Sequence, residues 1–408
     1  MHSLRFQFTI PRYLFGKTIR RLFPSLLWKS GLSCLRYQKL PDPVLPNEQW
    51  VKIKVTYGGI CGSDMNLIYL HDSPSISPFT SFPFTIGHEV VGSVSEIGAK
   101  VEGIKVGDRV VVDPILSCAA RGMPNPCEAC LRGDYSLCSH ITDGDIAPGL
   151  LIGACRDTGG SWGPYLVAHQ SQVLKLPEEV NDLNGVMIEP FSCALHSVMR
   201  NPPRNEDTVL VIGAGTIGIC VVAAIRALDI RCRIVVLSKY DVQTKLALQN
   251  GADEVVRLSR GYAWINEAAE ALEAKVLKPI MGSPIVLGGA DLVFECVGNS
   301  RSINDALRFA RSGGKVVLLG LASILDRIDW TSVWLNELDV KGSFAYSTED
   351  YEGRQMRTLQ IAIELMRSGK VDLSPFITHR FPLEKYKDAF ATVANKGRGA
   401  CMKAVFEP

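Results

Sequence analysis

Residues 208–228 read TVLVIGAGTIGICVVAAIRAL. An apolar strand, TVLVI, leads into a G-x-G-x-x-G turn, and the turn opens a helix of apolar and small residues. In this setting the first glycine permits a tight turn, the second lets the backbone approach a pyrophosphate, and the third lets the helix pack closely on the strand. Amides at the helix N-terminus then bind the phosphates. A glycine turn without a ligand is the alternative. The predicted contact residues are Gly213, Gly215, Thr216, Ile217 and Gly218.

Strands and helices alternate on the C-terminal side of this turn. The strand RIVVLS (233–238) is followed by a helical stretch, the strand DEVVRL (253–258) and a long amphipathic helix, AWINEAAEALEAKVL (263–277). DLVFECVG, SINDALRFARSGG and KVVLLG continue the pattern. Such alternation predicts a doubly wound parallel sheet covered by helices on both faces.

The flanking regions are rich in short alternating strands. WVKIKVTYGGI (50–60) and VVGSVSEIG (90–98) switch between apolar and polar residues, as strands of an antiparallel sheet do. After the doubly wound region the chain becomes mixed again and ends in a strand-like KAVFEP. The sequence therefore predicts an α/β protein with three parts: a basic N-terminal arm (1–34), a β-rich domain (35–200) completed by residues 341–408, and a doubly wound domain (201–340).

Composition and charge narrow the class of protein. Hydrophobic residues make up 47% of the 408 residues and charged residues 21%, as in a globular chain rather than a disordered one. The net charge of +2 gives no field that would favour a nucleic acid partner. The most apolar run, 209–225, is slightly short for a bilayer span and carries the glycines of the turn.

Positive charge is concentrated at the N-terminus. Residues 1–41 hold eight lysines and arginines and no acid, which leaves 36 basic and 42 acidic residues elsewhere. The arm lacks the apolar core and cleavage site of a secretory signal, so we predict a cytoplasmic protein. An acid-free amphipathic segment also fits a transit peptide or a helix that contacts a membrane surface. Packing of the arm on its own protein or on a neighbouring subunit is the interpretation that we favour.

Two groups of residues offer metal-ligand chemistry. In the first, the segments Cys61-Gly62-Ser63-Asp64 and Gly87-His88-Glu89 are joined by Glu189 in MIEPFSCALH. Thiolate, imidazole and carboxylate all bind zinc, and three protein ligands with one open position define a catalytic site. Taken singly, the cysteine also fits a buried thiol and the histidine a hydrogen-bonded core imidazole.

The second group is a set of four cysteines within 21 residues, Cys118, Cys127, Cys130 and Cys138. They stand in a loop with few core-forming residues, a pattern that predicts a closed tetrathiolate zinc site. Two disulfides are the competing arrangement, which the lack of a secretory signal disfavours.

The end of the strand after the glycine turn predicts the cofactor. An acid at this place would accept hydrogen bonds from the ribose of NAD and repel a 2′-phosphate. Here the strand ends in Leu237-Ser238-Lys239-Tyr240, without an acid. Ser238 can donate to a phosphate and Lys239 can neutralise it, so we predict a preference for NADP(H), with NAD(H) as the alternative.

Together these motifs resemble the zinc-containing medium-chain dehydrogenase/reductase superfamily, in particular its polyol (sorbitol-like), glucose and threonine dehydrogenases. The resemblance covers residues 35–408 and rests on the CGSD strand end, GHE, the cysteine lobe, the Glu-Pro pair and GAGTIG in this order. It implies a GroES-like catalytic domain, a Rossmann domain, and a homodimer or homotetramer.

The resemblance also implies roles for individual residues. Cys61 and His88 match the first two ligands of a catalytic zinc, and Glu189 stands at the place of the third. Glu89 matches a neighbouring glutamate that binds zinc directly or alternates with water in some members. Ser63 matches the hydroxyl that relays the substrate proton, and Asp64 matches the acid that orients the histidine ligand.

Three departures from the family pattern stand out. The cysteine lobe has eight residues between its first two cysteines instead of two, and Pro124 stands where the usual first cysteine would be. Cys118 closes the site only if the intervening residues loop out. Asn66 replaces a histidine that ends the proton relay in many relatives, and the segment between Val256 and Asp291 is longer than usual.

The function implied is that of a zinc-dependent oxidoreductase. It would transfer a hydride between a nicotinamide nucleotide and an alcohol, polyol or sugar hydroxyl, or the matching carbonyl, so that the partner is a small-molecule alcohol or carbonyl substrate. A reductase of an enone, imine or biosynthetic ketone is the alternative on the same fold. A non-catalytic nucleotide-binding protein is a third hypothesis, against which the full ligand set argues.

Overall fold

The computed structural model describes residues 1–408, apart from the side chain of Arg398. The chain divides into two compact units: unit 1 contains Met1–Glu189 and Ser347–Pro408, and unit 2 contains Pro190–Tyr346. These bounds differ from the predicted domains in three ways, one of which is that unit 2 ends at Tyr346 and not at residue 340. The other two are that the N-terminal 34 residues belong to unit 1, and that the change of unit before Pro190 falls inside a helix rather than after it.

The described residues form twenty strands. In chain order they are β1 His2–Phe6, β2 Leu35–Lys39, β3 Trp50–Gly59, β4 Phe84–Thr85, β5 Val90–Ile97, β6 Arg109–Val112, β7 Tyr165–His169, β8 Val173–Lys175, β9 Thr208–Ile212, β10 Arg233–Ser238, β11 Glu254–Arg257, β12 Lys275–Leu277, β13 Ile285–Leu287, β14 Ala290–Glu295, β15 Ala310–Leu318, β16 Asp339–Gly342, β17 Thr348–Tyr351, β18 Arg354–Arg357, β19 Ile377–Pro382 and β20 Lys403–Glu407.

The α-helices are α1 Ile10–Ile19, α2 Leu26–Lys29, α3 Gly62–Ile68, α4 Glu128–Leu131, α5 Asp182–Arg200, α6 Thr216–Ala227, α7 Asp241–Gln249, α8 Ala263–Ala271, α9 Ser300–Phe309, α10 Thr331–Leu335, α11 Thr358–Arg367, α12 Tyr386–Ala394 and α13 Lys396–Gly399. None of the described helices combines the length and apolarity that a bilayer span requires.

Unit 2 is built on a six-stranded parallel sheet in the order β11-β10-β9-β14-β15-β16. The central strand β9 is buried from Val209 to Ile212 because helices cover both faces of such a sheet. Strand β9 has β10 on one side and β14 on the other, so the direction in which the sheet is built reverses at β9. In sheets of this kind a crevice lies at the carboxyl ends of the strands where the order reverses. The predicted doubly wound sheet is confirmed.

One predicted helix of unit 2 is shorter than expected. The amphipathic stretch 263–277 is helical only as far as Ala271, and Glu273 adopts a left-handed backbone with φ of 53°. The next residues, β12, pair antiparallel with β13. The apolar residues Val276 and Leu277 at the end of the stretch therefore belong to one strand of a β-hairpin and not to a helix.

The main sheet of unit 1 has seven strands and is centred on β3, which pairs with β5, β7 and the C-terminal strand β20. The pairing of β20 with β3 sets Val405 opposite Gly59. This long-range pair returns the last residues of the chain to the strand that precedes Cys61.

The first 34 residues are part of this unit. Strand β1 pairs with β2 and β4, and it buries Leu4 and Phe6 completely or nearly so. The segment between β1 and β2 carries α1, whose buried Gly16 lies against Leu70. The side chains of Lys17 and Arg20 donate to the backbone carbonyl of Leu70 at 2.9 and 2.6 Å. The arm thus packs on its own chain through one face.

Candidate active site, metal centres and cofactor turn

Ligand atoms of Cys61, His88 and Glu89 lie within 4.8 Å of one another. The antiparallel pairing of β3 with β5 brings them together, because Gly58 faces Val90 across the ladder. Cys61 follows β3 as the N-cap of α3, and His88 and Glu89 precede β5. Cys61 and His88, 27 positions apart in the chain, therefore meet at one end of the strand pair.

Asp64 fixes the geometry of both neighbours. Its Oδ2 accepts a hydrogen bond from the backbone N–H of Cys61 at 2.9 Å, and its Oδ1 lies 3.5 Å from Nδ1 of His88. Burial lowers the pKa of His88, but the Asp64 carboxylate outweighs it and raises that pKa well above its ordinary value. With Nδ1 held by the acid, Nε2 is the ring nitrogen left for a metal. The hydroxyl of Ser63 lies 3.5 Å from Nε2, on the same side.

A buried lysine that the sequence analysis did not single out contacts the site. Nζ of Lys403, only 4% exposed, donates to Oε1 of the fully buried Glu89 at 2.6 Å. Burial lowers the pKa of Lys403, but the charge of Glu89 outweighs this and raises it. A Cβ on Gly59 would lie 1.8 Å from Oε2 of Glu89, so this glycine makes room for the carboxylate. The signal in the sequence was a lysine directly before the apolar residues Ala404–Phe406 of the terminal strand.

Glu189 belongs to the same electrostatic neighbourhood. It is buried on α5, and its charge is among those that raise the pKa of Lys403. Cys61, Glu89 and Glu189 can supply three negative charges, which zinc and the lysine ammonium would balance. The thiolate of Cys61, the imidazole of His88 and the carboxylate of Glu89 fit a zinc ion by ligand type and by mutual distance, whereas Glu189 is not a member of that group.

Replacing Asp64 by asparagine should weaken metal binding without unfolding unit 1. Asparagine keeps the size of the side chain but removes the negative charge that orients His88. We expect the affinity for zinc at this group to fall about 10–100-fold, measured by competition with a chelating dye. Asp108→Asn is the matched control, because that carboxylate also accepts a backbone N–H but lies outside the ligand group. Equal zinc affinities in the two variants would contradict the role of Asp64.

The four predicted cysteines of the lobe come together as a second group, with ligand atoms within 4.8 Å of one another. Sγ of Cys138 lies 3.6 Å from Sγ of Cys118 and 4.0 Å from Sγ of Cys127. Tetrahedral thiolates at a zinc–sulfur distance of about 2.3 Å stand about 3.8 Å apart, whereas disulfide sulfurs are about 2 Å apart. All four are free thiols. The spacing fits a tetrathiolate zinc site and not a pair of disulfides.

The fold accommodates the eight residues that separate Cys118 from Cys127. Residues between Cys118 and Cys127 loop out, and the backbone N–H of Cys127 donates to Sγ of Cys118 at 3.3 Å. The fully buried Arg121 holds the loop by donating to backbone carbonyls such as Leu116 and Asp143. His140, which the sequence analysis did not single out, places Nδ1 at 3.3 Å from Sγ of Cys118.

The thiol of Cys138 is shifted toward its thiolate form, whereas burial raises the pKa of the Cys118 thiol. The thiol of Cys130 donates to Cys138 and lowers the pKa of Cys138 to about 5. The backbone N–H of His140 also donates to that sulfur, at 3.4 Å. A sulfur held as thiolate by such donors is the form that binds a metal.

The glycine turn of unit 2 has the geometry of a phosphate-binding loop. Gly213 adopts φ of 98°, and a Cβ at this position would lie 2.3 Å from Val297. A Cβ on Gly218 would meet the carbonyl oxygen of Gly213 at 2.0 Å, so α6 packs directly on the turn. Around Gly215, the N-cap of α6, a Cβ would meet no atom within 4 Å. The turn thus leaves open backbone at the N-terminus of a twelve-residue helix, an arrangement that suits a pyrophosphate.

The structure corrects the expectation for Ser238. Its side chain is fully buried, and its hydroxyl lies 2.7 Å from Oγ1 of Thr244 on α7. A hydroxyl engaged in this way is not turned toward a phosphate. Lys239 is exposed, and Arg257, which stands beside Ser238 on β11, pairs with Asp241. Arg257 is a second cation at this strand end that the sequence analysis missed.

Glu295 stabilises the loop after β14, which packs beside the glycine turn. It is fully buried at the end of β14, and its Oε1 accepts the backbone N–H groups of Val297 and Gly298 at 2.9 and 2.8 Å. The backbone N–H of Cys296 donates to the carbonyl of Ile212, the last residue of β9. This carboxylate therefore fixes the loop beside Gly213 at the point where the strand order reverses.

Comparison with known proteins finds a matching family for the part of the chain with the metal ligands and another for the part with the glycine turn. Residues 47–178 match the family described as alcohol dehydrogenase GroES-like domain, and residues 216–360 match the zinc-binding dehydrogenase family. L-idonate 5-dehydrogenase of Vitis vinifera is 31% identical over 372 residues, with 91% of each chain covered. The chain belongs to the zinc-dependent medium-chain dehydrogenase/reductase superfamily.

Other members of the superfamily align over most of the chain. Sorbitol dehydrogenase of Arabidopsis thaliana is 33% identical, over 90% of this chain and 91% of its own. The crystal structure of butanediol dehydrogenase from Bacillus subtilis has a TM-score of 0.70 and 25% identity, and covers 92% and 96% of the two chains. The predicted GroES-like and Rossmann domains are confirmed, and the protein is an oxidoreductase of a superfamily that uses zinc and a nicotinamide nucleotide.

Proposed function

We propose that the protein is a zinc-dependent, NADP(H)-preferring dehydrogenase of polyols or related alcohols, whose catalytic zinc is held by Cys61, His88 and a carboxylate. The single observation that carries the proposal is the cluster of Cys61, His88 and Glu89 within 4.8 Å, with Asp64 behind the imidazole. Glu89 and Glu189 are the carboxylates of the site. Lys403 donates a hydrogen bond to Glu89, and the charges of both glutamates act on its ammonium group. The structural zinc belongs to the four-cysteine lobe.

The residues of the chain have distinct tasks in this reaction. When bound, zinc supplies Lewis acidity at the substrate oxygen, and the nicotinamide nucleotide accepts or supplies the hydride. Ser63 takes the proton of the substrate hydroxyl and passes it on, since its Oγ lies next to the metal-facing nitrogen of His88. Asp64 keeps the imidazole in one orientation, and Lys403 holds Glu89 in place.

The proposed substrate class draws on the relatives and on the intact ligand set. The two curated relatives described above are dehydrogenases of sorbitol and idonate, both polyhydroxylated. The test is a panel of alcohols, polyols and sugars, assayed with both nucleotides on protein of measured zinc content. Turnover of polyols that rises with zinc occupancy supports the proposal. Turnover confined to enones or imines, or independent of zinc, would overturn it.

We also propose a homodimer or homotetramer. Support comes from α10 in unit 2 and the residue before it, where Trp330, Trp334 and Leu335 expose more than half of their side chains to solvent. The neighbouring β16 lies at the edge of the six-stranded sheet. Exposed aromatic side chains beside an edge strand are typical of a surface that a second copy covers.

The cofactor preference gives a direct prediction. No acid ends β10, and Lys239 and Arg257 outnumber Asp241 there, so a 2′-phosphate is favoured. We expect kcat/KM for NADPH to exceed that for NADH about tenfold or more. Lys239→Glu should lower this ratio about a hundredfold, because a charge-assisted contact becomes a repulsion.

Two controls make the cofactor test specific. Lys278→Glu reverses an exposed charge elsewhere in unit 2 and should leave the ratio unchanged. Ser238→Ala should also leave it within about twofold, because the hydroxyl already bonds with Thr244. A tenfold preference for NADH in the unmodified enzyme would show that the proposed preference is wrong.

A further inference from the structure

Residues 8–32 form a surface of unit 1 that the proposed reaction does not use. This segment, called here the amphipathic surface, runs from the end of β1 through α1 and α2 to the start of β2. Its apolar side chains are exposed to an unusual degree: Leu22 by 76%, Ile10 by 68% and Leu32 by 62%. The complete set is Phe8, Ile10, Leu14, Leu22, Phe23, Leu26 and Leu32.

The outward position of these side chains follows from helical geometry. Ile10, Leu14 and Thr18 stand four residues apart and form one exposed stripe of α1. The opposite face carries Gly16, where an added Cβ would meet Leu70 at 2.6 Å. The inward face is therefore fixed by close packing, and α1 cannot rotate to bury the stripe.

The same segment carries an excess of positive charge: it contains five lysines and arginines and no acid, and the carboxyl of Asp72 acts on it only through Lys17. Among the described residues, none of the eight lysines and arginines of residues 1–41 forms an ion pair with an acidic side chain. Those that make hydrogen bonds, such as Arg12 and Lys17, donate to backbone carbonyls, which leaves their charge in place. The side chains of Arg21 and Lys29 are exposed and form no hydrogen bond with the described part of the chain.

From this juxtaposition we infer that the amphipathic surface docks the enzyme on an anionic lipid bilayer. Apolar side chains on a helix that lies along the interface enter the acyl boundary, while the lysines and arginines around them meet anionic headgroups. The highly exposed side chains of Leu14 and Leu22 suit insertion into lipid. The inference concerns binding to a surface and is independent of the reaction proposed above.

A second copy of the chain would bind the amphipathic surface less favourably than an anionic bilayer. In a two-fold symmetric dimer the same patch meets itself, so the excess positive charges of both copies would face one another. Such like-charge contacts cost free energy that the apolar area would have to offset. Binding to an anionic bilayer is favoured by both features of the surface, its positive charge and its exposed apolar side chains.

The test is co-sedimentation of the full-length protein with vesicles. Vesicles of phosphatidylcholine with about 30 mol % phosphatidylserine should pellet the protein, and phosphatidylcholine alone should not. About 1 M salt should release it, because the Debye length falls to about 3 Å. Arg21→Glu with Lys29→Glu should lower the partition coefficient about thirtyfold or more, and Leu14→Ser with Leu22→Ser about tenfold.

Matched variants separate docking from general surface effects. Lys275→Glu with Lys278→Glu, and Val44→Ser with Val106→Ser, change equally exposed residues elsewhere and should not alter binding. Dehydrogenase turnover in the absence of lipid should be the same in all four double variants. Three outcomes would overturn the inference: failure to pellet with anionic vesicles, equal binding by the variants of the amphipathic surface, or loss of self-association in those variants, which would mark the surface as a subunit or protein interface.

Discussion

Cys61→Ser is expected to remove zinc from the catalytic group and to lower kcat/KM about a thousandfold or more. The hydroxyl of serine is a much poorer zinc ligand than a thiolate, so His88 and the carboxylates alone would hold the ion weakly. Lewis-acid stabilisation is worth several kcal/mol, and each 1.4 kcal/mol is about a factor of ten in rate. Steady-state kinetics and metal analysis of the same preparation measure both effects.

The matched control for this prediction is Cys155→Ser. Cys155 lies in the same unit, outside both ligand groups, and its thiol donates to the carbonyl of Ala147 at 3.3 Å. A serine can keep that hydrogen bond, so zinc content and turnover should stay near those of the unmodified enzyme. Circular dichroism should show that both variants are folded. Full turnover in Cys61→Ser that lacks its catalytic zinc would refute the proposed mechanism.

Cys118→Ser is expected to release zinc from the lobe and to destabilise unit 1. Zinc that is present a thousandfold above its dissociation constant stabilises the fold by about 4 kcal/mol, so its loss should lower Tm by roughly 10 °C. The lobe depends on the metal because side chains such as Leu131 and Leu137 are largely exposed and build no core. Differential scanning calorimetry and metal analysis give the two readouts.

Comparison with Cys130→Ser tests the unusual spacing of the lobe. If Cys118 is a ligand, both variants should lose the same zinc and the same stability, since their sulfurs belong to one group. Cys155→Ser again serves as control. Retention of lobe zinc in Cys118→Ser but not in Cys130→Ser would show that the lobe uses three thiolates, with His140 next to the vacant position.

Much of the fold and of the site could be predicted because the signals are local. The strand, turn and helix around Gly213 follow one another in sequence, and the turn needs glycine where φ is 98° or where α6 packs closely. The CGSD and GHE segments end and begin the paired strands β3 and β5, so their side chains meet wherever that pair forms.

The residues that escaped prediction depend on long-range contacts. Lys403 reaches Glu89 only because β20 pairs with β3, across more than 300 residues of chain. Ser238 is turned away from the expected phosphate because Thr244, on the next helix, binds its hydroxyl. Local spacing contains neither contact. The same holds for the N-terminal arm, which the pairing of β1 with β2 and β4 draws into unit 1.

Diffraction at the zinc absorption edge, from crystals grown with zinc, tests the central claim most directly. We predict two anomalous peaks per chain. One should be surrounded by the four sulfurs of the lobe, and the other should lie within bonding distance of Sγ of Cys61, Nε2 of His88 and a glutamate oxygen. A single peak in the lobe, with no density between Cys61 and His88, would contradict the account.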